Sequence, residues 1–154
     1  EHKNLDWVIA SIHSSTLLTK EAPTVESCTN AWLQIAKDPR VCVIGHCGQP
    51  KFKFDYERVI PEFGRGGKLV EINNNSFHVR RDAVINCREI ALLCKKHGVR
   101  VIVNTDSHFA TQVGHAGLAL KMLDEIGFPE ELVVNSSVER FRQYLKERNI
   151  HLED

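Results

Sequence analysis

The 154-residue sequence has no excess of charge of either sign: Lys plus Arg and Asp plus Glu each number 20. This balance gives no electrostatic reason to expect nucleic acid or an anionic membrane surface as the main partner. No run of 18 apolar residues occurs, so no membrane-spanning helix is expected. The five cysteines, Cys28, Cys42, Cys47, Cys87 and Cys94, are odd in number and contain no CxxC pair. Such thiols are expected to be reduced, in a cytoplasmic protein, rather than joined in a disulfide framework. Repeats, low-complexity segments and long linkers are also missing. There is no initiating Met, and Glu1-His2-Lys3-Asn4 lacks the form of a signal peptide, so a processed or mid-gene start is expected.

What is present is a regular alternation. Apolar residues make up 42% of the chain, enough to give one domain its own core. Short apolar runs predict strands over 7–10, 41–44, 69–72 and 99–103, with a fifth short strand over 132–134. Between them, residues spaced three and four apart predict helices over 24–38, 55–63, 82–97, 115–126 and 137–148. Asp55 is the expected N-cap of the second helix, and Gly64, Gly66 and Gly67 its stop. Gly98 is the expected stop of the third. Alternating strands and helices imply parallel, buried strands with right-handed crossovers. An open doubly wound sheet and a partial (β/α) barrel both fit. A closed eight-stranded barrel usually needs about 250 residues.

Four ligand-type side chains fall at or near strand exits: His13, His46, Glu71 and Asp106. In parallel α/β folds that rim is where ligands bind. Asp106-Ser107-His108 adds a second imidazole; in extended chain, residues i and i+2 project to one side. Imidazole and carboxylate are donors for Zn²⁺, Mn²⁺ or Fe²⁺. Two or more such ions bind a phosphate and lower the pKa of a bridging water. Taken singly, each residue also has an ordinary structural reading: a turn or core histidine, a capping aspartate, or a glutamate paired with a cation. The convergence of several strands on one rim is what singles them out. His78, Arg80 and Arg81 follow the loop Asn73-Asn74-Asn75-Ser76 and offer phosphate contacts or solvated loop charge. His115 lines the same rim or starts a helix. Cys47, beside His46, is a weak candidate nucleophile with no base adjacent in sequence.

These residues resemble a known family. The segment Asp6-Trp7-Val8-Ile9-Ala10-Ser11-Ile12-His13 is similar to the D-x-I-x-A-S-x-H strand of polymerase-and-histidinol-phosphatase (PHP) domains. Val43-Ile44-Gly45-His46 is similar to their I-x-G-H strand. Val70-Glu71-Ile72-Asn73-Asn74-Asn75-Ser76-Phe77 resembles L-E-I-N-N-x-S-F, and Asn104-Thr105-Asp106-Ser107-His108 resembles S/T-D-x-H. Gly127-Phe128-Pro129 and Val134-Asn135 also fit, so the resemblance runs over about 5–148. It implies the C-terminal part of a distorted seven-stranded (β/α) barrel with a three-metal site at its C-terminal rim. It further implies phosphomonoester hydrolysis by a metal-activated hydroxide, leaning to the stand-alone phosphatase subgroup.

By the same resemblance His13 and His46 bind one metal, Asp106 a second and His108 a third. Asp106 also serves as a proton shuttle, and Glu71 holds a ligand or rim loop in place. The family's opening His-x-His strand, its further histidines and its bridging glutamate have no counterpart here. About half of the ligands and three strands are therefore missing, and weak metal binding and little activity are expected of this chain alone. The expected partner is a phosphorylated small molecule, with self-association or pairing with the missing N-terminal part. Two other readings stand beside the enzyme: a non-catalytic half-barrel used for assembly, exposing an unpaired sheet edge, and a polymerase-linked exonuclease module, which needs a basic track for single strands.

Overall fold

Runs of β-branched residues set between amphipathic helices are buried best as neighbouring parallel strands. The computed structural model describes residues 5–13, 22–79 and 81–150, with the backbone alone at Val79 and Arg81. Its four strands are β1 (Ile9–Ser11), β2 (Val43–Gly45), β3 (Leu69–Asn73) and β4 (Val101–Asn104). They lie side by side in chain order and every neighbouring pair is parallel. Ser11 stands opposite Gly45 and Asn73 opposite Asn104, so the strand exits reach the same end of the sheet. The chain is thus α/β, with a four-stranded parallel sheet alternating with helices.

The helices are α1 (Val25–Lys37), α2 (Tyr56–Arg65), α3 (Ser76–Val79), α4 (Arg81–His97), α5 (Gly117–Glu125) and α6 (Val138–Glu147). Their starts are fixed by side chains that satisfy orphan amides. Thr24 and Ser27 form a reciprocal capping box on α1, at 3.1 and 2.9 Å. Asp55 accepts from the Arg58 amide at 3.1 Å, and Ser137 from the Arg140 amide at 3.2 Å. Thr29 ties two elements together: its hydroxyl donates to the Val25 carbonyl and accepts from the Asp55 amide at 2.9 Å.

The sheet buries both faces. Ile44, Val70 and Val101 belong to the larger core, shared with Trp32 of α1, Phe63 of α2, Ile90 of α4 and Leu123 of α5. Val43, Leu69 and Ile102 meet Tyr144 of α6 in a smaller cluster on the other face. Side chains alternate faces along a strand, so Glu71 and Asn73 share the face of Leu69, and Asn104 shares that of Ile102. The polar residues of the strand exits therefore rise from the face that α6 covers lower down.

Three expectations are corrected. The apolar triplet at 132–134 is not a fifth strand. It falls between the 3₁₀ turns Glu130–Leu132 and Val134–Ser136, with a single parallel bridge from Val133 to Val101. Pro129 and the caps of these short turns bend the chain away before a ladder can form. Second, α2 runs past Gly64 to Arg65, and Gly66 is its C-cap. A Cβ at Gly64 would stand 2.9 Å from a Val99 methyl, so this glycine admits close packing within the helix rather than ending it. Third, the segment 106–108 is not extended, because Asp106 has a left-handed backbone with φ 52°. Among the described residues no helix is long and apolar enough to cross a membrane.

Candidate functional site

The centre of the strand-exit rim is a carboxylate, not a histidine. Glu71 lies within β3, 8% exposed, and its side chain serves three donors. Oε2 accepts from the main-chain N–H of His46 at 2.9 Å and from Asn73 Nδ2 at 3.4 Å. Oε1 accepts from Asn104 Nδ2 at 2.8 Å. A buried carboxylate is tolerable because these donors replace lost water. The exits of β2, β3 and β4 are thereby fastened to one side chain.

His46 leaves β2 with φ 53°, in the left-handed region that non-glycine residues rarely enter. Its imidazole is placed between three neighbours. The His13 ring stands edge-on with centroids 5.0 Å apart. Asn73 Nδ2 lies 3.5 Å from Nδ1. Asp106 Oδ2 lies 4.0 Å from Nε2. Asp106 also has a left-handed backbone, and its Oδ2 accepts from Asn75 Nδ2 at 3.3 Å. Two facing strand exits are thus turned by the same uncommon dihedral, bringing an imidazole and a carboxylate together.

His108 is exposed, with Nδ1 2.9 Å from the Asp106 carbonyl and its amide donating to Gln112 Oε1 at 2.9 Å. That contact occupies Nδ1 and leaves Nε2 as the nitrogen facing away from the chain. His78 is exposed on α3. Arg80 lies outside the described residues, as does the side chain of Arg81. His115 precedes α5, and its carbonyl accepts from Asn74 Nδ2 at 2.9 Å. Cys47 is buried, and desolvation pushes its thiol well above the ordinary cysteine range, with Cys87 and Cys94 adding to the shift. A thiol held protonated in this way is a poor nucleophile.

The donor set is right in kind for a divalent cation but incomplete in number. His13 with His46, and His46 with Asp106, come together as pairs. Among the described residues no group of three His, Cys, Asp or Glu side chains stands close enough to hold an ion by itself.

The amides of the rim, present in the motifs but given no role from sequence, fasten its loops. Asn74 Oδ1 accepts from the Leu118 and Ala119 amides, both at 3.0 Å, and so caps α5. Asn135 pairs with Val103 in both directions, accepting from its amide at 3.0 Å and donating to its carbonyl at 2.7 Å. The consecutive amides Asn73-Asn74-Asn75 after a buried strand were the available signal, since buried strand ends must satisfy their polar groups locally.

No protein-family model matches the chain. A probable phosphatase of Acetivibrio thermocellus is 40% identical over 146 residues, which are 95% of this chain and 59% of the relative. One of Clostridium botulinum is 39% identical over 146 residues, again 59% of the relative. One of Caldanaerobacter subterraneus subsp. tengcongensis is 43% identical over 147 residues, 57% of its length. Nearly the whole chain is therefore similar to curated proteins named probable phosphatases, and it spans about 59% of the length of those it matches.

Proposed function

We propose that this chain carries part of the active site of a metal-dependent phosphomonoesterase of the PHP type. The observation that carries the reading is the pairing of His46 with two residues from other strand exits, with His46 4.0 Å from Asp106 and 5.0 Å, ring to ring, from His13. The similar proteins are named probable phosphatases, which supports the phosphatase part of the reading. In this reading the four strands are one side of a barrel, and further strands and ligands belong to a longer protein.

His13 and His46 hold one divalent cation, Asp106 a second and His108 a third, the ions being Zn²⁺, Mn²⁺ or Fe²⁺. Such ions supply a hydroxide at neutral pH and offset charge on the phosphoryl oxygens. The protein's own part is orientation. Glu71 fixes the His46 main chain, Asn73 and Asn75 contact the ligand side chains, and the Asp106 carbonyl sets the His108 ring, as partners behind metal ligands generally do. Asp106 is also assigned the proton that goes to the leaving oxygen. His78, Arg80 and Arg81 are assigned to the substrate phosphate. The substrate is a phosphorylated small molecule.

Calorimetric titration of the 154-residue chain with Mn²⁺ or Zn²⁺ tests the assignment. Weak binding, lost in His46→Ala and Asp106→Asn, is expected, together with little turnover of p-nitrophenyl phosphate. Metal binding untouched by both substitutions would remove the rim from the account. Robust turnover by this chain alone would refute the partial site.

One observation favours an additional assembly role. Leu5 and Ile9, at the β1 edge, are 57% and 50% exposed. An apolar edge that is unpaired among the described residues invites a further strand, from the rest of a longer chain or from a second copy. Sedimentation tests this: concentration-dependent association is expected, and a monomer at all concentrations counts against it.

A further inference from the structure

At the end of the sheet opposite the rim, where the chain enters β2 and β3, lies a cleft of about 310 Å³. Among the described residues Lys37, Arg65, Lys68 and Arg148 line it against one carboxylate, Glu62, which is paired with Arg65. Lys68 is only 2% exposed. Its ammonium donates to the main-chain carbonyls of Val41, at 2.9 Å, and Asp38. Arg148 reaches the same turn, where among the described residues its Nη2 donates to the carbonyls of Pro39 at 2.5 Å and Val41 at 3.0 Å and no hydrogen bond is made by Nη1. Nη1 lies beside Gly67, where a Cβ would stand 3.7 Å away. Among the described residues neither Lys68 nor Arg148 has an ion pair with a carboxylate. Asp38, in the same turn, attracts the Lys68 charge but is engaged by Arg40 through two contacts of 2.9 and 2.6 Å.

Buried cations are ordinarily matched by anions. Carbonyl dipoles at the exit of α1 and the Asp38 carboxylate take part of that role, yet among the described residues buried Lys68 and half-buried Arg148 have no carboxylate of their own. Burial first, and then the Arg148 charge, hold the Lys68 ammonium below its ordinary range. An oxyanion would accept from the open edge of the guanidinium and from the third ammonium hydrogen, while Lys37 and Arg65 close the mouth.

We propose that the cleft between Lys68 and Arg148 is a binding site for a phosphate-type oxyanion, free or borne on a small organic molecule, distinct from the strand-exit rim. It lies at the other end of the strands from His46 and Asp106, so it stands or falls independently of the phosphatase reading.

The test is amide-resolved NMR titration of the 154-residue chain, in EDTA, with inorganic phosphate and with glycerol phosphate against chloride at matched ionic strength. Saturable shifts centred on residues 66–68 and 148 are expected. Affinity should fall about tenfold in Arg148→Gln, the loss of one charge-assisted contact, and measurably in Lys37→Gln. Lys37 has no ion-pair partner among the described residues and its loss leaves the turn at 38–41 intact, so this variant decides the matter if Arg148→Gln fails to fold. Saturation by the ester alone would identify the ligand as a phosphorylated molecule; saturation by both would admit free phosphate. Shifts no larger than those with chloride, shifts confined to 46, 73–75 and 104–108, or unchanged binding in Lys37→Gln would each overturn the proposal.

Discussion

The main-chain N–H of His46 donates to the buried carboxylate of Glu71 at 2.9 Å, across 25 residues of sequence, and the same carboxylate holds Asn104 of β4 at 2.8 Å. Three donors converge on two oxygens. An amide at this position turns one acceptor into a donor facing donors. Glu71→Gln is therefore expected to lower stability by about 1–3 kcal/mol, the cost of leaving a buried polar group unsatisfied. Differential scanning calorimetry reads this as a fall in Tm of roughly 2–4 °C per kcal/mol. If the rim binds metal, affinity should drop about 10–100-fold in the same variant, the range for groups behind the ligands.

Asn135 acts on the outer edge of β4 as a strand would, with one side chain in place of a ladder. Asn135→Ala leaves the Val103 amide and carbonyl without these partners. Hydrogen exchange at Val103 should accelerate well beyond that of Val70 in the sheet centre. Asn135→Asp should protect the amide but not the carbonyl. Equal exchange in all three proteins would show that the pairing contributes nothing.

Tyr144 is fully buried, and its hydroxyl lies 3.0 Å from the Gly67 carbonyl and 3.2 Å from that of Cys42. Burial raises its pKa to about 12. Tyr144→Phe retains the packing against Val43 and Leu69 and removes the donor. A loss of about 1 kcal/mol is expected, measured by urea denaturation with an unchanged slope.

Acid stability should depend on Asp38. Hydrogen bonds from the Arg40 side chain and amide hold its carboxyl well below the usual carboxylate range. A depressed folded-state pKa stabilises above the unfolded value, about 3.9, and that contribution is lost as pH falls below it. Denaturation curves between neutrality and strong acid should show Asp38→Asn destabilised most at neutral pH and converging with the parent in acid.

All five cysteines are free and buried. Burial raises Cys87 to about 11 and Cys94 higher still. An aromatic disulfide reagent at neutral pH should titrate almost none of them in the native protein and all five after denaturation. Rapid native reaction at Cys47 would show that the rim opens to its floor.

Much of this architecture was legible because its signals are local. Asp55 and Ser137 announced helix starts by chemistry that acts within three residues, and the runs around Ile44, Val70 and Ile102 could only be buried strands. Position along the strands also placed His13, His46 and Asp106 at one end. What escaped was whatever depends on partners distant in sequence. Val133 looks like strand, but its place is set by Pro129 before it and by one bridge to Val101. The left-handed turn at Asp106 breaks the simple i, i+2 rule, and Asn75, 31 residues upstream, donates to its carboxylate. Glu71 was expected to hold a ligand or a rim loop, yet no periodicity foretold that its carboxylate would join three strand exits.

The two left-handed backbones at His46 and Asp106 carry a consequence for how this rim can change. Each sits about 1–2 kcal/mol uphill of an ordinary conformation, held there by the interactions around it. Glycine at either position would shed that load and delete the donor side chain with it. In this chain each corner thus sets backbone ease against an imidazole or a carboxylate delivered to the rim.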